Sequence, residues 1–257
     1  MVNDNRHSEY ILELRLLSEA VFRNGEKERN LAQSRAQTDA CGFVYFHAKS
    51  LKGQLKRQAL WLVQQYVAMG EQGETRARAF LDSMDTLFGV NVWELERAWE
   101  PRDFMRGYLK MKQQANGLRG QGIMKLTHLE LPPEVREYFR DMVTGGEEFS
   151  IHDLIEAQTH IRTEIQLEAG QAKEKMLNTY QAVKRGLVFQ SRLFFEENPA
   201  AVLPDLLRII SSLDRIGAGV HRGRGQVEAK LLIDGKNALE WIDMKGGAAR
   251  NDVVSGY

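Results

Sequence analysis

Hydrophobic and polar residues alternate from Tyr10 to Leu17, with Leu12, Leu14 and Leu16 opposed to Ile11, Glu13 and Arg15. A period of two predicts a strand with one buried face. The same alternation returns in Gly122–Leu131, where Ile123, Lys125 and Thr127 oppose Met124, Leu126 and His128 before Pro132-Pro133 ends the run. It returns again in Leu187–Phe195 and in Gln226–Ile233. Between these runs the spacing becomes helical. Ser50 is the expected N-cap of a helix reaching about Met69, with Leu51, Leu55, Leu62 and Tyr66 on one face and Trp61 beside them. A second long helix is predicted over Ala200–Leu213, with Val202, Leu206, Ile209, Ile210 and Leu213 on one stripe.

Shorter helical pieces are predicted near Arg76–Leu87, Val92–Trp99, Arg102–Gln114 and Glu134–Val143. Glu19–Gly42 reads as a long loop followed by a short extended piece, Phe43–Phe46. Gly145–Ala157 reads as polar loop, and Thr159–Leu167 as one arm of a hairpin. The order strand, helix, strand, insertion, strand, helix, strand predicts an α+β fold, the ferredoxin-like split βαβ arrangement, whose RRM-like sheet is also a platform of RNA-binding modules. One domain spanning 1–257 is expected. Its core lies at about 10–70, 120–131 and 159–234, with a helical insertion at 71–119, a second insertion at 132–158 and a tail at 246–257.

Charge changes this picture. The 35 basic and 35 acidic residues cancel in the sum but are segregated along the chain. The stretches 40–70, 104–129 and 215–227 carry four, five and three basic residues and not one acid. Clustered cations on a formally neutral chain predict a polarised surface for a polyanion. The last stretch, Arg215 to Val227, interleaves Gly217, Gly219, Gly223 and Gly225 with His221, Arg222 and Arg224, as a phosphate cradle would. Two glycines would serve a plain turn. The loop follows a helix and opens a strand, so it is not a dinucleotide fingerprint, and no Gly-Lys-Ser/Thr makes it a Walker loop. At the first long helix, free N–H groups and the positive dipole end stand beside Lys49, Ser50, Lys52, Lys56 and Arg57. These residues and the glycine loop are the expected RNA contacts. Lys110, Lys112, Arg119 and Lys125 read equally as a second stretch of the groove or as solvated surface. Tyr108 could stack on a base, and core packing is the ordinary reading of Tyr108, Trp61, Trp93 and Trp99.

The single cysteine, Cys41, forms no intramolecular disulfide, and the start of the chain is polar, so a reducing, cytoplasmic location is expected. No apolar run approaches the roughly 20 residues of a membrane span. The six histidines are scattered, no H-E-x-x-H or Cys/His cluster exists, and no nucleophilic triad is evident, so no metal site is expected.

The run Gly42-Phe-Val-Tyr-Phe-His-Ala-Lys-Ser-Leu-Lys-Gly-Gln-Leu-Lys56 resembles the G-x-P-x-I-x-x-S-S-L-K-G-x-x-R signature of the RAMP superfamily, proteins that build type III CRISPR effector complexes. Leu87-Phe88-Gly89, Gly122-Ile-Met-Lys-Leu126, Arg162-Thr-Glu-Ile-Gln-Leu167 and Gly217–Val227 resemble further family motifs in the family's order. The chain departs from the signature at the proline, at Lys49 for the first serine and at Lys56 for the final arginine. The resemblance implies a crRNA-binding subunit with target RNA and other effector subunits as partners. It also implies that the insertion 132–158 is a thumb reaching a neighbour, with Ile151, Leu154 and Ile155 packing there. Family members that cut target RNA carry an aspartate before the signature; the matching positions, Ala32 to Ser34, hold no acid. The enzymatic alternative is a metal-dependent endoribonuclease, using Mg²⁺ only if it cleaves, with Asp39 as the loop carboxylate and His47 as general acid. A free-standing scaffold that binds no RNA is the third reading.

Overall fold

The computed structural model describes residues 8–23, 34–97, 102–115, 117–145, 149–168 and 171–239. Its five-stranded antiparallel sheet has the order β2-β5-β1-β6-β7, built from β1 (Tyr10–Leu16), β2 (Met124–Leu126), β5 (Val188–Phe195), β6 (Val227–Ile233) and β7 (Lys236–Asn237). With α1 (Ala48–Val67) after β1 and α7 (Leu203–Ser211) after β5, the core runs β1-α1-β2-β5-α7-β6. This is the predicted split βαβ order, with β1 central between β5 and β6. Tyr10 pairs with Leu193 on one side and Ile233 on the other, a register that turns Leu12, Leu14 and Leu16 to the same face. These leucines are buried in one cluster with Leu51, Leu55, Ala59 and Val63 of α1 and Leu206, Ile209 and Ile210 of α7. The opposite face presents Ile11, Glu13, Arg15, Gln190, Arg192 and Phe194, and only Phe194 among them is aromatic. The sheet is therefore not a stacking platform of the RRM kind.

The helical insertion is α2 (Glu71–Phe88), α3 (Val92–Arg97) and α4 (Arg102–Gln114). α2 packs on α1 through Ala77, Phe80, Leu81 and Met84. Buried Asp205 of α7 ties α2 down by accepting from Ser83 Oγ at 2.6 Å and from Arg76 and Arg208.

Two expectations need correction. Segment 145–157 is not all loop. Ser150 and Asp153 form a reciprocal capping box that opens α6 (Ile151–Gln158), a signature the S-x-x-D spacing carried. Nor does 132–158 reach away from the core as a thumb. Leu154 is buried, Phe139, Val143 and Phe149 pack on the core, and Ile151 and Ile155 close over Gly42, so these apolar residues are used within the chain. The excursion comes next. β3 (Thr159–Glu168) and β4 (Gln171–Val183) form a two-stranded ribbon that is a sheet of its own, tied to the body by bridges Ala20–Val183 and Ser34–Tyr180. Thirteen residues in β4 give it a length of roughly 40 Å. The tail 246–257, Ala32 and Trp99 lie outside the described residues.

A buried amide sets the approach to α1. Gln158, at the end of α6, accepts from Val44 N–H at 2.9 Å and donates to Gly42 and Leu154 carbonyls at 3.0 and 2.8 Å. The strand-like piece Val44–Phe46, which bridges Thr38 and Leu129, is thereby clamped before the helix begins. Replacing Gln158 with Ala strands at least two buried backbone groups, at about 1–3 kcal/mol each. A loss of about 2–4 kcal/mol in urea unfolding is expected for Gln158→Ala, and a loss under about 0.5 kcal/mol would show that the clamp is not structural.

Candidate nucleic-acid interface

α1 begins at Ala48, two residues before the predicted cap. His47 is the N-cap: its Nδ1 accepts from Lys49 N–H at 3.1 Å. Ala48 N–H donates to Nδ1 of His128 at 3.0 Å, across from the second strand segment. Two imidazoles thus satisfy two of the orphan donors of the first turn, a device that single-residue capping preference does not reveal. Accepting through Nδ1 assigns the proton of both neutral rings to Nε2. The rings pack tilted at 4.6 Å between centroids, and Tyr45 packs tilted on His128 at 4.9 Å. His47 is therefore a structural cap here, and Ser50 sits in the first turn with its side chain exposed.

α1 contains no acidic residue. Lys49 is exposed, and among the described residues Arg57 bonds only Gln54 of its own helix. Lys56 pairs with Glu94 of α3 at 3.1 Å. Lys52 has no carboxylate in hydrogen-bond contact among the described residues. Burial, then the neighbouring Lys56 and Lys125, pull its ammonium below the ordinary lysine value, with Glu94 opposing. Of the three ammonium groups that meet here, Lys56 pairs with Glu94 and Lys125 with Glu196, so Lys52 alone lacks a carboxylate partner among the described residues.

The glycine loop is different. Gly217, Gly219, Gly223 and Gly225 all have positive φ, so the backbone alone requires four glycines where two had been expected to suffice. A Cβ on Gly225 would lie 1.9 Å from Ile216 O, and one on Gly217 2.8 Å from Val21 O. The residues between are a short 3₁₀ turn, Val220–Arg222, with His221 exposed. The two arginines are occupied: Arg222 pairs with Glu164 of β3, and Arg224 with both Glu164 and Glu19. Glu19 also accepts from Arg162 and contacts His160, each at 2.8 Å, and Arg224 lies over Tyr180, 4.7 Å from the ring centre. This network ties the loop to the ribbon. Gly217 abuts buried Phe22, whose ring packs at 4.9 Å, tilted by 41°, on Phe46, the residue before the His47 cap.

Other expected sites scatter. Asp39 closes the turn before α1: Oδ1 accepts from Cys41 and Phe43 N–H at 2.9 and 3.0 Å, and Oδ2 pairs with Arg136 at 2.9 Å. Tyr108 is buried and donates to Asp82 at 2.8 Å, which with burial raises its pKa, so it offers no face to a base. Lys112, Arg119 and Lys125 pair with Asp82, Glu197 and Glu196, which leaves the second basic stretch largely compensated. Trp61 and Trp93 are not core residues; they are 47% and 60% exposed. Sequence reasoning missed His128, Glu19 and Glu164, because each acts on residues distant in the chain.

A protein-family model, the RAMP superfamily, matches residues 13–228. The chain belongs to the RAMP superfamily. No curated protein sequence matches it. Among solved structures, the fold is similar to subunits of two cryo-EM assemblies, the Type III-B Cmr-beta bound to cognate target RNA and the same complex in its apo state. Identities are 11% and 12%, both TM-scores are 0.55, and each alignment covers 88% of this chain and 97% of the other. In this RAMP protein the signature run 42–56 is the turn closed by Asp39, the His47 cap and the start of α1. Two further motif glycines meet directly: a Cβ on Gly89 would lie 2.5 Å from Gly122 N. No helix among the described residues is long and apolar enough to cross a membrane.

The loop–ribbon network carries a pH signature. Burial pushes Glu19 and Glu164 up, but hydrogen bonds from His160, Arg162 and Arg224, and from Arg222 and Arg224, outweigh it and hold both below the ordinary value of 4.5. A depressed folded-state pKa adds stability that is complete above the ordinary value and is lost as pH falls through the lowered one. Glu19→Gln is expected to melt below the parent at about pH 7, with the gap closing toward about pH 3. A gap of constant size across that range would refute the ion-pair account.

Proposed function

We propose that this RAMP protein is a guide-RNA-binding subunit of a type III CRISPR ribonucleoprotein, holding crRNA through its backbone and presenting it to target RNA beside other effector subunits. The observation that carries this reading is the first two turns of α1. An acid-free helix start places Lys49, Ser50 and an under-compensated Lys52 together at the positive dipole end. Family membership and the likeness in fold to Cmr-beta subunits support it. The protein contacts are to phosphate and ribose, and base pairing between guide and target reads sequence.

The two loop arginines take different parts. Arg222, 64% exposed at its side chain, can exchange Glu164 for a phosphate; Arg224, at 16%, holds the ribbon. Gly217, Gly219, His221, Gly223 and Gly225 shape and border that contact. Cleavage by Asp39 has no observation in its favour, since both carboxylate oxygens serve the turn and Arg136. Asp39→Ala in the assembled complex is expected to lower stability and leave the cleavage products of complementary RNA with Mg²⁺ unchanged.

The deciding measurement is fluorescence anisotropy with unrelated single-stranded RNAs across a salt series. Lys49→Ala/Lys52→Ala is expected to weaken all of them alike and to reduce the slope of log K against log salt by about 0.7 per lost phosphate contact. Undiminished affinity in the double variant sinks the proposal.

A further inference from the structure

The outward face of α1 carries a second feature, which begins at Ser50 of the helix start and runs on past it. Ser50, Gly53, Arg57 and Trp61 are all exposed and follow one another at spacings of three, four and four, so they form one line along the helix. The line is about 16 Å long. Its members are unlike an ordinary solvated face. Trp61 is the largest side chain there and is 47% exposed. Arg57 precedes it by one turn and, among the described residues, bonds Gln54 of its own helix. Gly53 is the unexplained residue: nothing lies within 4 Å of the Cβ it lacks, and its φ is not positive. A glycine weakens a helix interior, and among the described residues no packing or backbone geometry calls for one here. A bare helix surface between a cation and a capped, cationic helix start admits close approach by a polymer.

The occupant is set by charge and shape. α1 has no carboxylate to meet a basic partner, and on one flank of the line Lys52 adds positive charge while Lys56 pairs with Glu94 of α3. A flat indole one turn beyond an arginine fits a strand with phosphates and π-faces. We propose that single-stranded RNA leaving the first turn of α1 continues along this line, passing over Gly53, with a phosphate on Arg57 and a base stacked on Trp61. This inference rests on the reading of the helix start as the guide contact and extends it to a base-stacking residue.

The test uses the full chain, a uridine 12-mer and an abasic oligomer of equal length, read by anisotropy. Trp61→Ala is expected to bind the uridine 12-mer about tenfold more weakly, since an aromatic stack contributes on that order per base, and to bind the abasic oligomer like the parent. Trp61→Phe is expected to recover most of the loss. Gly53→Leu is expected to melt at or above the parent temperature while losing RNA affinity, a split that a merely structural glycine would not produce. The inference fails if Trp61→Ala stays within twofold of the parent on the uridine 12-mer. If Lys49→Ala/Lys52→Ala has lost binding in the same assay, only the stacking line falls; if it too binds normally, the guide-contact reading falls with it. A Trp61→Ala protein with parental RNA affinity but altered oligomeric size assigns this face to a protein contact and also overturns the inference.

Discussion

The proposed RNA contact depends on how α1 is rolled against the sheet. Leu12, Leu14 and Leu16 form one buried row, and Leu51, Leu55, Ala59 and Val63 must face it. A helix has one axis and a fixed angular step, so burying those four positions leaves the others no choice. Ser50, Gly53, Arg57 and Trp61 turn to solvent, and Lys52 and Lys56 lie on the flank toward α3. The hydrophobic contact that stabilises the domain is the same one that aims its charges.

The start of that helix is fixed as firmly as its roll. Two imidazoles, one from the preceding residue and one from the neighbouring strand segment, take up the first N–H groups, and the Gln158 amide clamps the approach. An anion meeting this end therefore finds a preorganised surface, and little ordering entropy remains to be lost on binding. The glycine loop is organised by a different interaction. Its arginines are balanced by Glu19 and Glu164, which ties the loop to the β3–β4 ribbon. Two basic segments thus differ in pairing: Lys49 and Lys52 of α1 meet no carboxylate among the described residues, whereas Arg222 and Arg224 of the loop are both in internal ion pairs.

That distinction marks what linear charge can and cannot tell. The 104–129 stretch has five cations and no acid, yet three of the five meet carboxylates from α2 and from the residues after β5. Segregation along the chain became segregation in space only at α1, where the nearest acidic element, α3, supplies one glutamate to two lysines. The four glycines of the loop were equally ambiguous. All four are needed for positive φ, so their number reports backbone geometry before it reports a ligand.

By itself the sequence determined the core: alternation at Tyr10–Leu16, Val188–Phe195 and Val227–Ile233 and the 3.6-residue stripes of α1 and α7 dictate a split βαβ fold, because burial periodicity is a local property of the chain. The ordered motifs likewise carried the family. What only tertiary structure decided were the partners: His128 on Ala48, Asp39 on Arg136, Glu19 and Glu164 on the loop arginines, and the exposure of Trp61. Each of these joins or separates residues by an interaction that acts through space, over sequence separations from 58 to 205 in the paired cases, and no local pattern encodes it.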